Sequence, residues 1–121
     1  PAWRGVMLSS AAEVLALKPD AALLAGLEIG VVGAQPAGSD TQFEVRAFFT
    51  GNHGIAEDPV TGSLNAALAQ WLIGDGMAPA GYVAAQGSAM GRAGRVFVQQ
   101  DGPDIWIGGH SVTVIDGSVA L

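Results

Sequence analysis

The stretch Gly54-Ile55-Ala56-Glu57-Asp58-Pro59-Val60-Thr61-Gly62-Ser63 decides how this chain reads. It runs straight into a helical pattern. From Thr61 to Ile73 the apolar residues Leu64, Ala67, Leu68, Trp71 and Leu72 recur at i, i+3, i+4, i+7 and i+8, which is one helical face. Ala66, Ala69 and Ile73 widen that stripe, and no charged residue interrupts it. Gly74 and Gly76 end it. A helix this apolar is expected to be buried on most sides. Its N-terminus presents unpaired N–H groups and a positive dipole end, a ready place for a carboxylate or phosphate. Asp58 and Ser63 then stand where they can act on a ligand held there.

Working outward, Arg4 to Ser9 reads as a short strand through Val6, Met7 and Leu8. Ser9 or Ser10 caps a short helix, with Glu13 at capping-box spacing from Ser10. Pro19 ends that helix and opens a second one, Asp20 to Leu27, at its first position. Ile29 to Ala34 is a continuous apolar run, a buried strand. Phe43 to Phe49 alternates: Phe43, Val45, Ala47 and Phe49 on one face, Glu44, Arg46 and Phe48 on the other. Thr50 to Gly54 reads as a glycine-rich loop. After the central helix, Tyr82–Ala85, Arg95–Gln100 and Ile105–Ile107 read as strands, with Asp101-Gly102-Pro103 as a turn. Ser111–Ile115 and Ser118–Leu121 flank Asp116-Gly117 as a hairpin. One central helix among many strands predicts an α+β domain: a curved, mostly antiparallel, barrel-like sheet wrapped around that helix.

The 121 residues form a single domain, 1–121, with no linker or repeat. Half of the residues are hydrophobic and 13% are charged, which excludes a disordered chain. So few charges also suggest apolar surface that a partner covers. Net charge is −6, and the five basic residues Arg4, Lys18, Arg46, Arg92 and Arg95 are scattered. Nucleic acid and anionic membranes are therefore not expected partners. No apolar run approaches the roughly 20 residues of a spanning helix. The absence of cysteine excludes disulfides and thiolate catalysis. Cytoplasm is the default location. The start at Pro1 reads as a processed chain or a piece of something longer.

Each candidate residue has a structural reading beside the functional one. Asp58 before Pro59 reads as a helix N-cap with proline at N1. A capping carboxylate can keep one oxygen for a ligand, so the two roles are compatible. Ser63 can cap the helix instead. Glu57 reads as structural, pairing with an arginine or bonding behind the site. His53 reads as an exposed loop histidine or a residue at the site's edge. Arg92 pairs with an anionic ligand or with a protein carboxylate. His110 reads as a surface residue. Gly87 to Gly94 lacks the lysine and Ser/Thr of a phosphate loop and reads as turn chemistry. Two histidines and scattered carboxylates do not make a metal site. Trp3, Trp71 and Trp106 read as core or interface.

Glu57-Asp58-Pro59-Val60-Thr61-Gly62-Ser63 resembles the signature of the PhzF-like (phenazine-biosynthesis) isomerase family. Arg46-Ala47-Phe48 is similar to the strand before that signature. Gln86-Gly87, Met90-Gly91-Arg92 with Gly94, and Ile107-Gly108-Gly109 with Gly117 follow in the family's order. The resemblance covers nearly the whole chain. It implies one lobe, the C-terminal one, of a two-lobed diaminopimelate-epimerase-like fold with the active site between lobes. It further implies a cofactor-independent isomerase or epimerase that moves a proton on a small carboxylate-bearing metabolite. By the same resemblance Asp58 is the catalytic residue of this chain, and Thr61, Gly62 and Ser63 bind substrate. The principal glutamate and a histidine belong to the other lobe, so the chain alone is expected to be inactive. The alternative reading is a non-enzymatic anion-binding or dimerisation module, with a homodimer partner covering what the missing N-terminal lobe would cover.

Overall fold

The computed structural model describes residues 2–121. The elements run β1 (Arg4–Met7), α1 (Ala11–Ala16), α2 (Ala21–Leu24), β2 (Ile29–Ala34), β3 (Phe43–Gly51), β4 (Gly54–Asp58), α3 (Gly62–Gly74), β5 (Gly81–Gln86), β6 (Gly94–Asp101) and β7 (Asp104–Gly108). All seven strands join one sheet in the order β1-β2-β3-β5-β6-β7, with β4 also paired to β3. The β1–β2 and β3–β5 pairings are parallel and the other four antiparallel. The sheet curls into a half-barrel against α3, which is the α+β architecture expected.

Strand β3 organises the molecule. One edge pairs with β2 along most of its length. Its other edge is shared: β5 takes Phe43–Val45, and β4 takes Ala47–Gly51. Because β5 runs parallel to β3 and β4 antiparallel, their C-terminal ends meet head-on beside Arg46. The chain leaves both strands at that point.

Side-chain alternation along the strands feeds two cores. On one face Val32, Phe43, Val45, Ala47, Tyr82, Ala84, Val96 and Val98 pack with Leu64, Leu68, Ala69 and Leu72 of α3. Gly30 lets α3 come close, since a Cβ there would run into the Leu64 side chain. On the opposite face Val14, Val31 and Phe48 form a smaller cluster beneath α1 and α2.

The second face also buries charge. Arg46 is 6% exposed and makes a two-pronged pair with Glu57, Nε to Oε1 and Nη2 to Oε2, both at 2.9 Å. Its Nη1 donates to the carbonyls of Val14 (3.0 Å) and Leu17 (2.7 Å) at the end of α1. Its guanidinium lies 4.8 Å from the Phe48 ring centroid. The polar face of β3 is thus interior, because α1 docks across it.

The local signals held unevenly. Ser10 caps α1, accepting from the Glu13 N–H at 3.1 Å, while the Glu13 carboxylate takes the Ser9 hydroxyl and N–H. The second helix is only four residues, and Asp20, not Pro19, stands at its start: the Asp20 carboxylate takes the N–H groups of Ala22 and Leu23. Thr50–Gly54 is no free loop; it is the tip of the β3–β4 hairpin. Helix α3 buries one stripe only, leaving Ala67 and Gln70 exposed where the half-barrel is open between β1 and β7. The C-terminal hairpin is absent. Residues 109–121 carry no strand, and Val112, Val114, Ile115, Val119 and Leu121 are exposed. A two-stranded hairpin with no surface to pack on is marginal in water, whatever its alternation.

Replacing Arg46 by Met should cost about 3 kcal/mol, because Glu57 and two carbonyls lose their partner in a mostly buried setting. Urea unfolding should show a lower midpoint with an unchanged slope. A wild-type midpoint would mean that the pair is merely neutral.

Candidate functional site

The site is built where β4 and β5 end. Gln86 closes β5 with its side chain fully buried. Its Oε1 accepts from the Thr61 N–H (3.0 Å) and from Asn65 Nδ2 (2.8 Å). Its Nε2 donates to the Asp58 carbonyl (3.0 Å) and to Thr61 Oγ1 (3.0 Å). Asn65 also donates to the Thr61 carbonyl at 2.8 Å. One amide therefore ties a strand end, the end of β4 and the start of α3. Every hydrogen-bonding position of Gln86 is used, which the buried setting demands.

Thr61 carries this order to Asp58. Its hydroxyl accepts from Gln86 and donates to Asp58 Oδ2 at 2.7 Å. Asp58 Oδ1 makes no hydrogen bond within the described residues, and the residue is half-buried. The sheet fixes the backbone of Asp58, opposite Ala47. That corrects the capping expectation. Asp58 belongs to β4, the N-cap is Thr61 in an extended conformation, and Pro59 lies outside the helix. Ser63 does not cap either; it is the second residue of α3.

Thr61 makes no side-chain cap hydrogen bond to α3, because its hydroxyl is engaged with Asp58 and Gln86. The N–H groups of Gly62, Ser63 and Leu64 have no acceptor among the described residues. An uncapped end with three free donors and the positive end of the dipole suits an anionic oxygen. Ser63 Oγ stands beside them and accepts from Trp3 Nε1 at 3.0 Å.

The remaining candidates divide. Arg92 is exposed, on the loop after the left-handed Gly87 (φ 86°). A Cβ at Gly87 would lie 2.7 Å from the Pro59 carbonyl and 2.9 Å from Arg92 Cβ, so only glycine lets this loop close against the site. Arg92 is thus near Pro59. His53 is not near: it is at the hairpin tip, five residues back from Asp58, about 16 Å at strand spacing. The glycine-rich sequence put His53 on an exposed loop, and it is exposed in the turn joining β3 to β4; pairing with β3 carries that turn away from Asp58. Glu57 is occupied by Arg46, as its structural reading held. His110 packs edge-to-face on Phe97, 4.9 Å between centroids. No group of three or more metal-ligating side chains occurs among the described residues.

Sequence reasoning missed Gln86, Asn65 and Trp3 as parts of this site. Asn65 carried a signal, being a polar residue beside an apolar helical stripe. Gln86 carried one as well, a polar residue closing an apolar strand. Another buried polar side chain, Glu44, lies on the α1 face and is 2% exposed. Its Oε2 accepts from Gln35 Nε2 at 3.2 Å, and its Oε1 meets no donor at hydrogen-bond geometry among the described residues. Burial pushes its carboxyl above the usual range, against the Ser88 hydroxyl and the Arg95 and Arg46 charges, and Glu57 adds to the rise. Burial also raises the Tyr82 phenol to about 12, so it stays protonated.

The fold and site define a class: a half-barrel with an aspartate and an open helix N-terminus at the strand ends. This chain belongs to the phenazine biosynthesis-like protein family (PhzC-PhzF), whose pattern matches residues 3–117. It is 34% identical over 116 residues to an uncharacterized isomerase of Pseudomonas aeruginosa, covering 96% of this chain and 43% of that protein. It is similar in fold to the crystal structure of a PhzF-family phenazine biosynthesis protein of Bacillus anthracis, with a TM-score of 0.62 at 18% identity, over 85% of this chain and 40% of that one. The chain spans less than half the length of both. Among the described residues no helix is long and apolar enough to cross a membrane.

Two outcomes follow. Gln86→Leu should destabilise by about 3 kcal/mol, since it strands buried donors and a carbonyl, and should weaken amide protection at Thr61 in hydrogen exchange. Unchanged exchange there would remove Gln86 from its role. For Glu44, the folded state holds the proton more tightly than the unfolded chain. That stability is fully present below the unfolded value near 4.5 and is lost as pH rises through the folded one. Glu44→Gln should therefore gain on wild type in urea midpoint as the pH is raised above 4.5. A pH-independent difference would show that Glu44 ionises freely.

Proposed function

We propose that this chain is the C-terminal lobe of a two-lobed, cofactor-independent isomerase or epimerase of the PhzF-like kind. Its substrate is a small carboxylate-bearing metabolite, and the reaction moves a proton between positions on its carbon skeleton. The carrying observation is the pairing of a half-buried Asp58, held by Thr61 at 2.7 Å, with the uncapped start of α3.

The substrate carboxylate docks on the N–H groups of Gly62, Ser63 and Leu64. Ser63 lines the approach, Thr61 stands buried behind it and holds Asp58 rather than touching substrate as the resemblance implied, and Arg92 adds a positive charge at the rim. Asp58 faces the reacting carbon and, with its free Oδ1, accepts or returns a proton. Its other oxygen is fixed by Thr61, so the carboxylate is aimed rather than rotating. The principal acid/base glutamate comes from the other lobe, across the cleft. The exposed outer stripe of α3 and the apolar residues 112–121 are the surface that the other lobe, or a second copy, covers. Cytoplasm and a biosynthetic role go with this reading.

The exposed apolar tail also favours the second reading, a non-enzymatic module that dimerises and holds a small anion. The two readings separate by proton exchange in heavy water. Small carboxylic acids with an acidic carbon beside the carboxyl should take up no deuterium with the purified chain. They should do so once the chain is joined to a related N-terminal lobe, and Asp58→Asn should then lower kcat about 100-fold or more. Sustained exchange by the 121-residue chain alone would overturn the half-site reading. Full activity of the Asp58→Asn protein would take Asp58 out of the chemistry.

A further inference from the structure

Ser63 is exposed on the first turn of α3, yet its oxygen is not left to water. Trp3, sixty residues away in the segment before β1, donates its indole N–H to Ser63 Oγ at 3.0 Å. The indole is half-buried and rests on the main core. It forms one wall of a groove of about 250 Å³ that Gly5, Leu64, Ala67, Leu68 and Trp71 complete. Gly5 is what keeps the groove narrow there, since a Cβ would lie 3.0 Å from the Trp71 ring. Trp71 is itself tied down, donating Nε1 to Asp75 at 3.1 Å. The indole of Trp3 therefore has a seat independent of Ser63.

The chemistry of that contact is directional. Indole N–H only donates, whereas a serine hydroxyl both donates and accepts. With Trp3 filling a lone pair of Oγ, the Ser63 hydroxyl proton must point elsewhere, and Ser63 makes no other side-chain hydrogen bond among the described residues. Ser63 is exposed, and the unpaired N–H groups of Gly62, Ser63 and Leu64 lie on the same first turn of α3. We propose that Trp3 is a positioning residue: it holds the Ser63 hydroxyl as a donor aimed at the carboxylate bound on the first turn of α3. The inference rests on the half-site reading above. It makes Ser63 a fourth donor to an anionic oxygen and excludes it as the base of the reaction. It also couples the segment before β1 to the site, so anything that moves Trp3 alters the grip on the ligand.

The test uses the ¹⁵N-labelled 121-residue chain, with benzoate as the probe. Three indole N–H signals report Trp3, Trp71 and Trp106 separately, assigned by single Trp→Phe variants. Ser63→Ala changes an exposed residue and is expected to keep the fold. It should move the Trp3 indole proton upfield and leave those of Trp71 and Trp106 in place. In wild type, benzoate should shift the amides of Gly62, Ser63 and Leu64 together with the Trp3 indole. Trp3→Phe should weaken benzoate about five-fold, the loss of one ordinary hydrogen bond's worth of order. The Trp3→Phe/Ser63→Ala double variant should bind no more weakly than Ser63→Ala alone, because the two residues act as one.

Additive losses, or an unchanged benzoate Kd in Trp3→Phe with the amides still responding, would overturn the inference and leave the half-site standing. No amide response to benzoate in wild type would overturn both. Should Trp3→Phe fail to fold, the Ser63→Ala spectrum decides: a Trp3 indole that stays in place shows that no such bond exists in solution.

Discussion

The structure hangs on one side chain, the amide of Gln86. It sits where two strands that share an edge of β3 run into each other, and where the backbone has to turn away from the sheet twice. Strand ends leave backbone donors and acceptors without a ladder partner, and buried ones cost about 1–3 kcal/mol each if nothing takes them. Gln86 takes the Asp58 carbonyl from one strand end and the Thr61 N–H from the helix start, and Asn65 closes the ring. A hydrophobic residue of the same size would fill the space and leave these groups unpaired. The same bonds set where α3 begins, and so where its free donors point.

Arg46 does the matching work on the other face of β3. The two clusters stand back to back: Gln86 fixes α3 to the end of β5, and Arg46 fixes α1 to β4 through Glu57. Asp58 follows Glu57 directly, so its backbone is held from both faces of the sheet at once. That explains a well-placed carboxylate at a point where the chain would otherwise be a loose connection. A site held within a fraction of an ångström needs this kind of support from residues that never touch the ligand.

Much of this was legible in the sequence, for definite reasons. The stripe from Leu64 to Leu72 set a helix, and the alternation from Phe43 to Phe49 set a strand, because each repeats a period long enough to read. Glu57 to Ser63 gave the location of the candidate site. The failures share a cause as well. Asp58-Pro59 has the local chemistry of a cap, but pairing with Ala47 commits Asp58 to the sheet, and no local rule carries that information. His53 looked adjacent to the site because it is adjacent in sequence; in a strand, five residues are a long way. The residues at 109–121 have a good hairpin pattern and no surface to pack against. Trp3 and Ser63 meet only because the fold brings the segment before β1 beside the start of α3.

The missing cap on α3 is better understood as a property of the site than as a flaw in the helix. A side-chain cap is worth about 1 kcal/mol, and threonine at the N-cap position has the chemistry to supply it. Here the hydroxyl of Thr61 is turned away, donating to Asp58 and accepting from Gln86, so it cannot serve its own helix. The chain thereby leaves three N–H groups and the dipole end unanswered. In exchange it gains an oriented carboxylate next to an open set of donors. A capped helix and a freely rotating Asp58 would give a more stable chain with nothing to offer a carboxylate. That the same hydroxyl cannot do both is the reason a capped helix and an oriented Asp58 compete at this one residue.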